Sequence, residues 1–189
     1  MIDPITLLTL LRQSVRLKWL PRTGWLLRGV ADPESVAEHS WGVALLALFL
    51  ADAVDEPLER DKLLTIALIH DLPEAVLSDI PTPAAQFFPP TAKREAEEAV
   101  LTDLLAPLSE AERLLGWWRE FEEGSSPEGR LVQDADRLEM LLQALMYEES
   151  RGARLDEFWE WPFQRPLHFA ASRALLEALE GQRMNRSAD

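Results

Sequence analysis

Residues 33–53 read PESVAEHSWGVALLALFLADA, and their apolar side chains recur at the spacing of an α-helix. The apolar stripe comprises Val36, Val43, Leu46 and Leu50. The longest uninterrupted apolar run, from Val43 to Ala51, has nine residues, which is far short of the length needed to cross a membrane. The segment therefore predicts a helix that packs one face into a protein core.

Two sets of residues can open this helix. Asp32 can cap it with Pro33 at the first helical position, or Ser35 and Glu38 can form a capping box. The sequence is compatible with both starts.

Helical spacing extends over most of the remaining chain. Further helices are predicted over residues 4–18, 58–70, 92–106, 110–122, 130–150 and 166–180. A capping box of Ser109 and Glu112 is expected to open the helix over 110–122, and Gly181 is expected to end the last helix. No window of apolar and polar alternation bounded by Asn-Gly or Asp-Gly turns appears, so strands are not expected. We therefore predict one all-α domain over residues 1–189, a helical bundle with its core in about 10–150.

Composition and charge narrow the class of protein. The 189 residues are 47% hydrophobic and 28% charged, as in soluble globular domains, and the absence of cysteine excludes disulfides, thiolate metal sites and cysteine nucleophiles. The net charge of −14 argues against a protein that coats nucleic acid or an anionic membrane. Asp3, Pro4 and Arg12 interrupt any apolar leader at the start, so we expect a cytoplasmic protein.

The positive charge is concentrated near the N-terminus. Residues 1–30 carry five cations and one anion, a local charge of +4, while the rest of the chain carries −18. A small anion could find its counter-charge there, and a solvated basic helix face explains the pattern equally well.

Two of the three histidines fall on apolar helix faces. His39 shares the stripe described above, and His70 continues the apolar stripe of the helix over 58–70. A histidine in such a place is commonly a core residue with a satisfied hydrogen bond. His70 is followed by Asp71, however, and a buried carboxylate needs a positive partner that no nearby Lys or Arg supplies. A metal ion would satisfy both histidines and the carboxylate together.

The predicted helix over 130–150 also places carboxylates among apolar residues, at Asp134, Asp136 and Glu139. Asp136 lies deeper in the helix and is the better candidate for a metal ligand. Asp134 lies nearer the start, where the helix dipole favours carboxylates, and we expect it to face solvent.

A histidine, a His-Asp pair some thirty residues later and a distal aspartate resemble the pattern of the HD-domain metal-dependent phosphohydrolases. The surrounding motifs resemble the 5′-deoxynucleotidase branch of that superfamily. They are RTGW (22–25), RGV (28–30), PESVAEHS (33–40), HDLPEA (70–75), SDIPTP (78–83) and DRLEM (136–140). The resemblance implies an all-helical fold, a divalent metal, a homodimer, and removal of phosphate from deoxynucleoside 5′-monophosphates.

The metal ligands implied by the resemblance are His39, His70, Asp71 and Asp136. Imidazole and carboxylate ligands together suit Mn²⁺, Co²⁺, Fe²⁺ or Zn²⁺, with Mg²⁺ also compatible. Glu74 is placed to take a proton from water or return one to the leaving oxygen, if the helix continues past Asp71. Pro73 either breaks that helix or begins a new helical turn.

Other residues are expected to contact the substrate. Asp79 resembles the family's residue facing the sugar and phosphate, with a catalytic role, and its alternative is a solvated loop aspartate. Arg22 and Arg28 are candidates for phosphate binding, because the guanidinium fork matches phosphate oxygens. Trp25 either packs against deoxyribose and rejects a 2′-hydroxyl by shape or is an ordinary half-buried aromatic. Thr82, in the same motif as Asp79, is also expected to contact the substrate.

The leading hypothesis is a metal-dependent phosphomonoesterase whose partner is a small nucleotide, without nucleic acid or membrane. Alternative substrates are a nucleoside triphosphate or an alarmone, although a longer phosphate chain usually needs more basic residues than this chain offers. A non-catalytic nucleotide-binding protein on the same scaffold is the other alternative, and the intact ligand set with Glu74 argues against it. A helical interaction module without a site leaves the two histidines and their carboxylates unexplained.

Overall fold

The computed structural model describes residues 2–160 and 166–186, without the side chains of Thr82, Ala85 and Arg186. In chain order the helices are α1 (Pro4–Ser14), α2 (Thr23–Leu26), α3 (Val36–Leu50), α4 (Arg60–Ile69), α5 (Glu74–Leu77), α6 (Thr82–Ala85), α7 (Ala92–Leu105), α8 (Ala111–Glu123), α9 (Pro127–Arg151), α10 (Asp156–Glu160) and α11 (Ala170–Arg186), with a 3₁₀ turn at Val15–Lys18. Within these ranges the only strand-like pairing is one isolated bridge between Pro21 and Ser35, so the all-α prediction is confirmed. In the described part of the chain, every helix is too short or too polar to cross a membrane.

The 25-residue helix α9 is the centre of the fold, and α3, α4, α8, α10 and α11 all pack against it. Its buried apolar side chains recur every three or four residues and include Leu131, Ala135, Leu138, Leu141 and Leu145. Helices α3 and α4 add Val43, Ala47, Leu50, Leu63, Ile66 and Ala67 to the same cluster. Burial of this surface, worth about 25 cal/mol per Å² of apolar area, holds α3, α4 and α9 side by side.

A second and smaller core lies between α7, α8 and the start of α3. It contains Val36, Leu101, Leu105 and Trp118. The indole N–H of Trp118 donates to the carbonyl oxygen of His70 at 3.1 Å. This bond fixes the chain where α4 ends, so the second core positions the His70–Asp71 segment.

The start of α3 is decided by the capping box. Ser35 Oγ accepts from the N–H of Glu38 at 3.2 Å, and the Glu38 carboxylate accepts from the N–H of Ser35 at 2.6 Å. The helix therefore begins at Val36, and the alternative start at Pro33 is wrong.

The start of α8 differs from the prediction. The helix begins at Ala111 after Glu110, and no side chain caps it. The predicted box of Ser109 and Glu112 is wrong because Glu110 occupies the capping position, which leaves Ser109 one residue too early.

The last helix also differs, because it runs over Ala170–Arg186 and passes through Gly181 instead of ending there. One turn beyond the middle of this helix, Arg183 Nε and Nη2 donate to the two carboxylate oxygens of Glu148 on α9, both at 2.9 Å. This tertiary contact offsets the cost of about 1 kcal/mol that glycine imposes inside a helix, so the helix continues past Gly181.

Gly129, in the first turn of α9, lies directly against the backbone of α8. A Cβ at this position would lie 2.6 Å from the carbonyl oxygen of Glu120. Gly129→Ala is therefore expected to lower the free energy of unfolding by about 1–3 kcal/mol, measured by urea denaturation, although alanine is the better helix former. The control is Gly116→Ala within α8, where a Cβ meets nothing within 4 Å and should stabilise by up to about 1 kcal/mol. Equal effects at the two positions would contradict this packing.

Candidate active site

Three helices bring His39, His70 and Asp136 together. His39 on α3 and His70 at the end of α4 are buried, and Asp136 on α9 is half-buried. One ligand atom from each residue lies within 4.8 Å of the other two. Two imidazoles and a carboxylate at this spacing can hold one divalent cation.

The second ring nitrogen of each imidazole is anchored, which fixes the orientation of the ring. Nδ1 of His39 donates to Oε2 of Glu139 at 2.6 Å, and Nδ1 of His70 donates to the carbonyl oxygen of Ala67 at 2.8 Å. The Nε2 atoms of both rings are buried and make no hydrogen bond among the described residues, and Nε2 of His39 faces Oδ1 of Asp136 at 3.1 Å. Buried nitrogens without partners cost free energy, and this anchoring of the opposite nitrogen is typical of metal-binding histidines. The residues fit a divalent cation.

Glu139 reaches His39 because α3 carries no side chain at Gly42. A Cβ on Gly42 would lie 2.6 Å from Oε1 and 2.9 Å from Cγ of Glu139. The sequence shows Glu139 only as a carboxylate among apolar residues. Its distance of three residues from Asp136 is the available signal, because such a pair lies on one helical face.

Asp71 lies beside this cluster and is paired with a cation from a distant part of the chain. Its Oδ2 is 3.4 Å from Nε2 of His70 and 3.7 Å from Nε2 of His39, which places the carboxylate within reach of the same ion. The same oxygen accepts from Nη1 of Arg22 at 3.2 Å, across 49 residues of sequence. Asp71 therefore has the positive partner that a buried carboxylate needs, and that partner is Arg22, which is distant in sequence and approaches from the start of α2.

Arg22 is surrounded by the carboxylates of the site. Its Nη1 lies 3.2 Å from Asp71 and 3.9 Å from Oδ1 of Asp79. Burial by itself would lower the pKa of the Arg22 guanidinium, but Asp71, Asp79 and Glu74 together raise that pKa above its usual value. Arg22 is therefore a permanent cation next to the histidine–aspartate cluster.

Glu74 faces the same region from a short helix of its own. Helix α4 ends at Ile69 and Pro73 precedes α5, so the proline begins a new helical turn, which is one of the two expectations from the sequence. Burial raises the pKa of Glu74 to about 9, with Asp71 adding to the shift and Arg22 opposing it. A carboxyl group that keeps its proton near neutral pH can act as a general acid, and a cation at the neighbouring ligands would lower this pKa.

A cleft of about 530 Å³ opens beside these residues. Arg22, Asp71, Glu74, Asp79 and Asp136 are among the residues that line it. Oδ2 of Asp79 accepts from the N–H of Thr23 at 2.5 Å, and its carbonyl accepts from the Thr23 hydroxyl at 3.1 Å. The side chain of Asp79 is only 9% exposed, so the alternative of a solvated loop aspartate is wrong.

A family model described as HD domain matches residues 15–165, which include the histidines, the aspartates and the whole cleft described above. The chain belongs to the HD domain family.

Relatives of this HD domain include named enzymes. The chain is 40% identical to the 5′-deoxynucleotidase HDDC2 of Bos taurus over 158 residues, which are 82% of this chain and 75% of that protein. It is 34% identical to the 5′-deoxynucleotidase hdd1 of Schizosaccharomyces pombe over 146 residues, which are 75% of this chain and 72% of that protein. Among solved structures, a conserved hypothetical protein from Pyrococcus furiosus matches with a TM-score of 0.79 and 37% identity, over 94% of this chain and 99% of that one.

The remaining predicted substrate residues of the HD domain lie on or near the cleft wall. Trp25 lines the cleft but is only 2% exposed, and its indole N–H donates to Glu34 at 2.9 Å. Arg28 also lines the cleft, but it is ion-paired with Glu157. Of the two arginines, Arg22 is the one that contacts the histidine–aspartate cluster, through Asp71. The side chain of Thr82 lies outside the described residues.

Asp134 is neither at the site nor at the surface. It is 0% exposed, and its carboxylate accepts from the backbone N–H groups of His168 at 2.9 Å and Phe169 at 3.1 Å. Arg137 donates to it at 3.1 Å. The expectation of a solvent-exposed Asp134 is wrong because the segment leading into α11 folds back over this part of α9.

Several residues of the cleft wall were not predicted from the sequence, among them Lys93 and Phe158. Lys93 reaches the cleft from α7, where it pairs with Glu97 at 2.7 Å, and Phe158 reaches it from α10. Both belong to segments outside the quoted motifs, and nothing in their local sequence indicates which way they face.

The two aspartates of α9 provide a matched test of metal binding. Asp136→Asn is expected to weaken binding of Mn²⁺ by more than about 100-fold, since loss of an orienting partner alone costs 10–100-fold, while helicity by circular dichroism stays unchanged. Asp134→Asn should lower Tm but bind Mn²⁺ like the wild type, as followed by isothermal titration calorimetry. Equal weakening in both variants would mean that the cluster is wrongly assigned.

Proposed function

We propose that this HD-domain protein hydrolyses deoxynucleoside 5′-monophosphates to deoxynucleosides and phosphate. The observation that carries the proposal is the pair of buried Nε2 atoms of His39 and His70, without partners among the described residues, beside Asp136 on a nucleotide-sized cleft. Relatives with identities of 34% and 40% that are named 5′-deoxynucleotidases support the choice of substrate.

A divalent cation would be held by His39, His70, Asp71 and Asp136. When bound, such a cation neutralises charge on the phosphoryl group and lowers the pKa of coordinated water. The mixture of nitrogen and oxygen donors suits Mn²⁺, Co²⁺, Fe²⁺ or Zn²⁺ and also accepts Mg²⁺.

Residues of the chain itself would bind the phosphate and move the proton. Arg22, held between Asp71 and Asp79, offers its guanidinium to the phosphate oxygens. A water molecule attacks phosphorus, the bond from phosphorus to the 5′-oxygen breaks, and Glu74 gives its proton to the leaving oxygen and regains one from the attacking water. Asp79 keeps the loop after α5 attached to the start of α2, next to Arg22.

The charge of the cleft favours a monophosphate over a triphosphate or an alarmone. Its lining cations are Arg22, Arg28, Lys93 and Arg137, and its lining carboxylates are Asp71, Glu74, Asp79, Asp136, Glu157 and Glu160. Arg28, Lys93 and Arg137 are already paired with Glu157, Glu97 and Asp134, so the lining adds little uncompensated positive charge to that of Arg22 and a bound divalent cation, and each further phosphate group would add repulsion.

The apolar part of the wall supports a preference for deoxyribose. Trp25 and Met140 line the cleft and offer no strong hydrogen bond to a 2′-hydroxyl, because the indole N–H is a donor only and already donates to Glu34, and the Met140 thioether is a weak acceptor. Exclusion by shape without a lost hydrogen bond discriminates by up to about 100-fold.

Assembly and location are part of the proposal. We propose a homodimer, supported by exposed apolar side chains on α1 at Ile5, Leu8 and Leu11 and by the exposed Trp19. Sedimentation equilibrium separates the dimer from the monomer. The net charge of −14 supports a free nucleotide as partner over nucleic acid or membrane, and we place the activity in the cytoplasm.

Phosphate release tests the proposed reaction. The protein is treated with chelator and supplied with one divalent cation at a time, and phosphate is measured with the four dNMPs, the matching NMPs and dATP. We expect kcat/KM for dNMPs to exceed that for NMPs by about 10- to 100-fold, with little release from dATP. Binding of dNMPs without phosphate release under any cation would instead favour the non-catalytic nucleotide-binding protein.

Replacement of Glu74 tests the proton transfer. Glu74→Gln should retain the metal and bind substrate with KM nearly unchanged, while kcat falls by about 10²- to 10⁴-fold, the usual worth of general acid–base catalysis. Steady-state kinetics and metal analysis are run beside Glu95→Gln, an exposed position on α7. A normal kcat for Glu74→Gln would refute the role, and loss of metal would make Glu74 a ligand.

A further inference from the structure

The cleft is lined by two groups of side chains with different chemistry. One group is charged and lies at the candidate metal site, and it includes Arg22, Asp71 and Asp136. The other group centres on Phe158 of α10 and includes Trp25 and Arg28. A nucleotide also has two such parts, because its phosphate is charged while its base is flat and largely apolar.

Phe158 covers the tryptophan that the sequence motif places at the site. Its ring stacks on Trp25 with centroids 4.2 Å apart and an interplanar angle of 26°, and Tyr147 packs edge-on against Trp25 at 5.4 Å. These contacts leave Trp25 almost without exposed surface, whereas Phe158 is half-buried. The accessible aromatic surface on this side of the cleft therefore belongs to Phe158.

The position of Phe158 is fixed by its surroundings. Leu155 and Trp159 on either side of it are buried and anchor α10, and the N–H of Phe158 donates to the carbonyl of Leu155 at 3.0 Å. The guanidinium carbon of Arg28 lies over the Phe158 ring, 5.3 Å from its centroid. A rigid aromatic group held together with a planar cation loses little conformational entropy when a ligand binds.

The hydrogen-bonding groups next to Phe158 are engaged with each other. Arg28 donates through Nη2 to the Glu157 carboxylate. This ion pair holds the Arg28 guanidinium at the Phe158 ring, and stacking and apolar contact are interactions that every base can make, because every base presents a flat face.

We propose that Phe158, with the Arg28 guanidinium over its ring, forms the nucleobase-binding wall of the cleft and accepts all four bases. This inference rests on the proposed function, since it concerns the nucleoside part of the same substrate. Phe158 acts here as a specificity-determining residue that separates nucleotides from smaller phosphate esters.

The test compares substrates with and without a base. Phe158→Ala should raise KM for each of the four dNMPs by about 10- to 100-fold, to a similar extent, with kcat little changed. For 2-deoxyribose 5-phosphate, which lacks a base, KM should stay within about threefold of the wild-type value. Phe158→Tyr, which keeps the ring, should restore KM for the dNMPs. Phe87→Ala, an exposed phenylalanine outside the cleft lining, should match the wild type on both substrates.

The possible outcomes distinguish failure of the nucleobase-binding wall from failure of the proposed function and from unfolding of the variant. A wild-type protein that releases phosphate from neither substrate defeats the proposed function itself. If the wild type is active and Phe158→Ala raises KM equally for dNMPs and 2-deoxyribose 5-phosphate, or for neither, the proposed nucleobase-binding wall is refuted. A loss confined to one base refutes the acceptance of all four. Should Phe158→Ala have a lower Tm, Phe158→Leu gives the same comparison with the apolar volume kept and the ring removed.

Discussion

The hydrogen bond from His39 to Glu139 crosses the interface of α3 and α9, and the geometry of the site depends on it. Apart from this bond and the approach of Asp136 to His39, the interface is built from apolar side chains, so a carboxylate there needs a close partner. Gly42 leaves the space in which the Glu139 side chain lies. Because Glu139 and Asp136 lie one turn apart on α9, a single helix face supplies one candidate ligand and also orients the imidazole of another.

Charge compensation around Arg22 joins parts of the chain that are far apart in sequence. Arg22 contacts Asp71, which follows α4, and lies near Asp79, whose carboxylate accepts from the first residue of α2. The same contacts that balance the carboxylates therefore hold α2 against the loop after α5. A substitution of Arg22 would disturb both the charge and the shape of the cleft, so its effect on activity has to be judged together with its effect on stability.

The site carries polar atoms that do not contribute to folding. Nε2 of His39, Nε2 of His70 and Oε2 of Glu74 are buried without a hydrogen-bond partner in the described part of the chain, and such atoms cost roughly 1–3 kcal/mol each. Burial of apolar surface in the two cores that include residues of α3 offsets this cost in the free energy of folding. Local departures from the rules of stable packing are expected where a protein binds or transforms a ligand.

The sequence by itself determined the helical class, the approximate helices and the residues His39, His70 and Asp136 as unusual polar positions on apolar faces. These features follow from local periodicity, because a helix that buries one face requires apolar residues at intervals of three or four positions. Only the tertiary structure decided that Arg22 pairs with Asp71, that Asp134 is buried under the segment before α11, and that Phe158 covers Trp25. Those contacts join residues tens of positions apart, and they depend on how whole helices pack, which local spacing does not encode.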